Sequence, residues 1–302
     1  MKTICITGGN GLLGSKLVMA AKDQYRIINI DLAASALCPV ENLFYYQVDI
    51  TDKEKITNLI DDIKPECVFH TAALTNVDAC EREKNKAWDI NVLGTENLIQ
   101  ACQSFPCKFI HLSTDYIFNG NNGPYSEDDL PSPISVYGKT KLESEKIVQN
   151  NFKDYIIART MILYGYFPGV RKNFITWLID QLQQRNTIQI VTDQYGTPTL
   201  ADDCAEALLT LFKKNARGIY HTAGRDLINR YDMAKKLIDI FEFKNTFLSP
   251  ITSDQLNQDA PRPLNSGLKT DKIKKEYGIY FSSIEEGIAL VKEQIKNKSY
   301  TD

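Results

Sequence analysis

Histidine is scarce in this chain, with three in 302 residues: His70, His111 and His221. A histidine-based metal site would need all of them together, and no metal is expected. The seven cysteines are scattered, odd in number and never spaced C-x-x-C, which argues against a disulfide framework and against structural zinc. No apolar run approaches the ~18 residues of a membrane span. The N-terminus enters a strand pattern directly, without the basic and apolar regions of a leader. A reducing, cytoplasmic setting with no membrane contact is the expectation. The charge is nearly balanced, 35 basic against 38 acidic residues, net −3. That leaves no basic face for nucleic acid, and Lys269–Lys275 (KTDKIKK) reads as a solvated helix face.

The length suits one large or two modest domains with a substantial core. Short apolar runs alternate with helical patterns in the first half. Strands are expected at Thr3–Thr7, Arg26–Ile30, Phe44–Val48, Cys67–His70, Lys108–Ser113 and Tyr155–Arg159, and helices at Leu12–Ala21, Lys53–Ile63, Glu83–Ser104 and Tyr137–Asn150. Strands separated by helices imply right-handed crossovers. The fold class is therefore α/β: a doubly wound parallel sheet (Rossmann-like) with a smaller α/β substrate domain. Residues 1–160 form the dinucleotide-binding part, joined by about 186–215, and 161–302 form mainly the substrate-binding part. Further helices are expected at Asn173–Gln184, Ala201–Lys213, Arg230–Phe241 and Ser283–Lys296.

The stretch TGGNGLLG, Thr7–Gly14, links the first strand to the first helix. Its glycines fit a dinucleotide turn, in which the backbone approaches a pyrophosphate at a helix N-terminus. They can be read as Gly9-Gly11-Gly14 or as Gly8-Gly11-Gly14. Asp31 ends the second strand, placed to bind the hydroxyls of an adenosine ribose and to repel a 2′-phosphate. No arginine follows in DLAAS, so NAD(H) is favoured over NADP(H). Asp49 ends the third strand, either near the adenine or as a plain turn residue.

Tyr137 and Lys141 are four apart at a helix start and share one face. An ammonium beside a phenol favours phenolate, so Lys141 is expected to lower the Tyr137 pKa. A buried strand ends at Ser113-Thr114, presenting a hydroxyl at the sheet edge where α/β folds bind ligands.

With T-G-x-x-G-x-x-G, the S-T strand end and Y-x-x-x-K in place, the chain resembles the extended short-chain dehydrogenase/reductase family. The resemblance selects Gly8, Gly11 and Gly14 as the operative register and treats Gly9 as coincidental. STDYIFNGNNGPYSEDDLPSPISVYGKTKLESE, DQYGTPTLADDCAEALL and RPLNSGLKTDKI narrow it to dTDP-4-dehydrorhamnose reductases. It implies reduction of the 4-keto group of a nucleotide-activated deoxysugar. Tyr137 would donate the proton, Thr114 would bind the substrate oxygen, and Lys141 would tune Tyr137 and hold ribose. Asn10, Leu12, Leu13, Ile50, His70, Ala72, Ala73 and Tyr164 would line the cofactor, with the glycines, Asp31 and Asp49. Thr75, Asp115, Asn173, Gln194 and Thr197 would approach the nucleotide-sugar substrate. A homodimer through the helices at 83–104 and 137–150 follows by the same analogy. Met161-Ile162 replaces a Ser-Trp pair common in the family, and Leu74 replaces a frequent Tyr. Thr114-Asp115-Tyr116 lacks the carboxylate of the T-D-E triplet in the related 4,6-dehydratases, which disfavours elimination. A nucleotide-sugar epimerase with tightly bound NAD, or a regulatory subunit resembling the methionine adenosyltransferase β-subunit, are the alternatives.

Overall fold

The computed structural model describes residues 1–244 and 246–297; the last five residues of the expected second domain lie outside them. Six strands, β1 (Lys2–Thr7), β2 (Tyr25–Asp31), β3 (Leu43–Gln47), β4 (Cys67–His70), β5 (Lys108–Thr114) and β6 (Tyr155–Thr160), join a seventh at Gly218–His221 in one sheet. The order is Gly218–His221, β6, β5, β4, β1, β2, β3, with every pairing parallel. Strand order reverses between β1 and β4, and the crevice beyond their C-terminal ends is where such sheets bind ligands.

Both faces are covered, as period-2 alternation along buried strands dictates. Ile4, Ile6 and Phe69 face α1 (Leu12–Ala21) and α8 (Ala201–Lys213); Cys5, Val68 and Phe109 face α2 (Lys53–Ile63), α5 (Gly94–Cys102) and α6 (Val136–Asn151). Lys16 of α1 reaches Asp202 of α8 (2.8 Å) and Gln294 of α11 (Ile284–Asn297; 3.1 Å) beneath the surface. A separate apolar core joins α7 (Phe174–Gln183), α9 (Arg230–Phe241) and α11.

The expected segments around 186–215 divide. The helix packs on the main sheet, but the strand, observed as Thr187–Val191, pairs with Phe247–Ile251 away from it. Gly218–His221 takes the edge position beside β6 instead. The expected helix at 83–104 is interrupted. Between α4 (Lys84–Trp88) and α5 lies a five-residue π-helical turn, Asp89–Leu93, and α3 (Val77–Arg82) precedes them. One extra residue per turn re-aims a side chain. Here Asn91 turns inward, accepting from Leu74 N (2.7 Å) and donating to Thr140 Oγ1 (3.0 Å) on α6. No described helix is long and apolar enough to cross a membrane, and all seven cysteines are buried and free.

Candidate active site

The glycine turn fits a dinucleotide cradle on steric grounds. Gly8 has φ +71°, and a Cβ there would lie 2.8 Å from the Ala72 backbone beyond β4. A Cβ on Gly14 would lie 2.2 Å from the Gly8 carbonyl oxygen, so only glycine lets α1 start against the turn. Gly9 has its own reason: a Cβ would fall 2.0 Å from the buried Asn29 side chain. Any side chain here would have to displace Asn29, a packing reason for Gly9 that is separate from the phosphate-binding register. Gly11 N–H donates to Gly8 O (2.9 Å), closing the turn. No side chain caps α1, so the first-turn N–H groups around Leu12 and Leu13 are offered outward to an anion. Asn10 pins the turn to the following loop, through Ser35 O (2.8 Å) and Leu37 N (3.0 Å).

Asp31 accepts backbone N–H groups from Asn10 (3.0 Å), Leu32 (2.8 Å) and Ala33 (3.3 Å). Its carboxylate already closes the turn, so its position alone does not select the cofactor. Asp49 caps its own turn, accepting from Thr51 N and Oγ1 at 2.8 Å each. Ile50 is buried and its carbonyl receives Asn97 (3.1 Å). Both ring nitrogens of His70 are engaged, Nδ1 with Thr7 Oγ1 (2.7 Å) and Nε2 with Thr95 Oγ1 (3.0 Å). Its polar atoms therefore serve the frame. Ala72 and Ala73 follow on the half-buried rim. Tyr164 sits elsewhere than expected. It is buried in the core of α7, α9 and α11, its hydroxyl filling the space where a Gly287 Cβ would stand.

The reactive constellation lies beyond β5. Ser135 caps α6 by accepting from Gly138 N (3.2 Å). A Cβ on Gly138 would come within 2.1 Å of the Tyr116 carbonyl oxygen. Glycine directly after Tyr137 thus lets the helix start press on the end of β5, which brings Tyr137 to Thr114. The Tyr116 and Tyr137 rings meet edge to face at 5.6 Å. Burial pushes the Tyr137 phenol up, and the opposing pull comes from the Thr114 hydroxyl. The direction is opposite to that expected from Lys141, because desolvation of the phenolate dominates. The buried Lys141 ammonium is pushed down to about 8 by the same desolvation, with Glu145 pulling it up.

Thr114 Oγ1 donates to Asp115 Oδ1 (3.0 Å) and accepts from Tyr116 N (3.2 Å). Asp115 also accepts from Ser266 (2.5 Å), and burial raises its carboxyl to about 6. The segments around residues 115–125, 194–200 and 262–269 converge on this wall. Leu268 N donates to Thr197 Oγ1 (3.1 Å), Tyr195 N to Leu264 O (2.6 Å), and Asn265 Nδ2 to Gly123 O (2.9 Å). Gln194 is held by Ser253 (3.0 Å) and accepts from Arg230 (3.3 Å). Thr197 donates through N and Oγ1 to Met161 Sδ (2.9 and 3.2 Å). Asn173 is spent on capping α7 and on Gly165 O (2.7 Å). Thr75 is exposed just before the cap of α3. Ile162 adopts φ +38°, unusual for a β-branched residue; its carbonyl accepts from Thr199 N (3.3 Å).

Sequence reasoning missed two cations. Arg262 forms a bidentate pair with Asp78 (2.6 and 2.8 Å); burial raises the Tyr116 phenol, and Arg230 and Arg262 oppose that rise. The flanking prolines of A-P-R-P, which fix the backbone at Arg262, were the available signal.

This fold and edge cluster define a dinucleotide-dependent oxidoreductase of the short-chain type. A family model, the RmlD substrate binding domain, matches residues 1–297, and the chain belongs to that family. The chain is 31% identical to dTDP-4-dehydrorhamnose reductase of Aggregatibacter actinomycetemcomitans, over 92% of this chain and 94% of that one. It is also 31% identical to methionine adenosyltransferase 2 subunit beta of Xenopus tropicalis, over 89% and 81%. Among solved structures, a dTDP-4-dehydrorhamnose reductase from Clostridium acetobutylicum superposes with TM-score 0.89 at 30% identity, covering 98% of this chain and all of that one. The Bacillus anthracis reductase, in complex with NADP, gives 0.88 at 28%, covering 97% and 100%. The expected preference for NAD(H) is overturned by that NADP complex. It rested on Asp31 as a free gate, and Asp31 is a turn-closing acceptor.

Proposed function

We propose that this chain is an NADPH-dependent reductase of the 4-keto group of a nucleotide-activated 6-deoxysugar, the reaction named in its reductase relatives. What supports the reading is the Tyr137 phenol held by Thr114 at the C-terminal end of β5, with Lys141 one turn further along α6 and the glycine turn following β1 of the same parallel sheet. Residues 8–14 would hold the dinucleotide, with Asp31 keeping the turn closed beneath it; when bound, the dinucleotide would supply a hydride to the carbonyl carbon. Tyr137, a neutral phenol in this dry setting, gives its proton to the carbonyl oxygen, so that hydride and proton together make the hydroxyl. Lys141, poised to lose a proton near the working pH, lies on the path that restores the phenol. Thr114 orients Tyr137 from the strand end. The wall of Gln194, Thr197, Arg230 and Arg262 takes the nucleotide sugar, with the guanidinium groups facing its diphosphate. Residues 161–302 are thus chiefly the substrate side. The assembly is a homodimer through α5 and α6, which sedimentation tests, and the compartment is the cytoplasm.

The test is oxidation of NADPH on adding dTDP-4-dehydrorhamnose. Tight NADPH binding with no oxidation by any 4-keto sugar nucleotide would count against the reading. The similarity to a methionine adenosyltransferase subunit favours one competitor, a regulatory chain. An intact Thr114, Tyr137 and Lys141 weighs against it, because a binding module has no use for a buried phenol beside an ammonium.

A further inference from the structure

We propose that His111 is a positioning residue for Lys141: as a neutral imidazole it accepts one ammonium N–H through Nε2, leaving the remaining two for the dinucleotide. The inference rests on the reading above only in placing Lys141 at the reactive centre.

Lys141 Nζ lies 3.2 Å from His111 Nε2, and both residues are buried. An ammonium has donors and no acceptor, so Nε2 supplies the lone pair and the imidazole proton sits on Nδ1. Ser144 Oγ is 2.9 Å from the same nitrogen, but its proton goes to Lys141 O at 2.7 Å. Toward Nε2 the Ser144 oxygen can then act only as an acceptor, so the two contacts call for opposite tautomers, and the charge-assisted one from the ammonium is the stronger. Nδ1 is buried with no hydrogen-bond partner among the described residues, so no carboxylate holds a second proton on the ring. Burial and the neighbouring Lys141 charge push His111 well below its ordinary value, consistent with a ring that stays neutral. His70 is the contrast. Its ring centre is 5.3 Å away, yet Thr7 and Thr95 occupy both its nitrogens.

The other groups around the ammonium do not replace this contact. Glu145, one turn further along α6, attracts Lys141 but is held by Arg159 of β6 at 3.0 and 2.8 Å. Tyr137, one turn back, is a buried neutral phenol. His70 of β4 carries no charge, burial holding it far below its ordinary value. His111 is thus the group that gives a desolvated ammonium a hydrogen bond without adding a charge. Removing it leaves a charged donor unpaired, which drives proton loss.

The test reads the Lys141 proton directly, by side-chain NMR titration of the cofactor-free protein, with the resonance assigned by its loss in Lys141→Ala. His111→Leu should lower the Lys141 midpoint by about one pH unit. His111→Gln, whose amide oxygen can accept, should restore it to near the unaltered value. An unchanged midpoint in His111→Leu overturns the proposal. If that variant does not fold, nitrogen NMR of the unaltered protein decides: the Nδ1–H tautomer at neutral pH supports the proposal, and the Nε2–H tautomer or an imidazolium overturns it. None of these measurements needs turnover. A failed titration in an active reductase rejects only this inference, whereas an inactive protein with the predicted titration rejects only the reductase reading.

Discussion

Replacing Gly14 with alanine tests the cofactor cradle. In an ordinary helix interior that change stabilises by about 1 kcal/mol. Here the added Cβ would stand 2.2 Å from Gly8 O, 2.5 Å from Gly9 Cα and 2.9 Å from Gly8 C. All three are backbone atoms, so no flexible side chain can yield. Relief needs a displacement of about an ångström between α1 and the turn, given ordinary van der Waals separations. Gly8 O also receives the Gly11 N–H at 2.9 Å, so the displacement distorts the turn as well. Hydrogen bonds from helix-start N–H groups to a phosphate are each worth about 1.5–3 kcal/mol. Misaligning one or two costs about 3 kcal/mol, roughly a hundredfold in Kd. Fluorescence titration with NADPH measures it. Gly278→Ala is the control, at φ +66° with no heavy atom within 4 Å of the new Cβ. It should lower stability through backbone strain and leave the Kd unchanged. If Gly14→Ala bound NADPH within about threefold of the parent, with helix content intact, the steric reasoning would fail.

Three more predictions concern the reactive wall and its support. Asp115 binds its proton more tightly folded, with a midpoint of about 6, than in the unfolded chain. Its contribution to stability is therefore full in acid and falls as pH rises from the ordinary carboxylate range to about 6. Asp115→Asn should flatten that fall in urea midpoints taken at pH of roughly 4 to 7, and an unchanged slope would remove the premise. Glu145→Gln strands the buried Arg159 guanidinium and should cost about 3–5 kcal/mol in urea unfolding; a loss below about 1 kcal/mol would show that the pair is not energetically isolated. Gly138→Ala drives α6 off the Tyr116 carbonyl. It should lower kcat at least tenfold, an offset of about 1.4 kcal/mol; unchanged kcat would mean that this approach does not set Tyr137.

Much of the sheet was legible because buried parallel strands read as short apolar runs and the covering helices as 3.6-residue stripes. β4, α1 and α2 fall within the bounds expected. Gly218–His221 escaped notice because GIYH opens on glycine and is buried only at its last two positions, unlike the fully buried CVFH of β4. The π-helical turn at Asp89–Leu93 was invisible for a related reason. One inserted residue shifts the helical phase only locally, and Asn91 looks like any polar position until Leu74 and Thr140 appear beside it. Tyr164 and Asn173 show what adjacency to a motif cannot tell. Each follows β6 closely in sequence, yet one fills the α7–α9–α11 core and the other is spent on a cap. The Tyr137 direction failed for an energetic reason. Spacing along α6 placed the ammonium one turn away, but it could not show how completely both groups leave water.

The most direct test of the central claim, that Tyr137 delivers the proton, is single-turnover oxidation of bound NADPH by dTDP-4-dehydrorhamnose in Tyr137→Phe. The change removes one hydroxyl and keeps the ring that packs on Tyr116. The account predicts that the rate falls by about 10²–10⁴ while the Kd for NADPH is unchanged. A Tyr137→Phe protein that turns over within about threefold of the parent would contradict it.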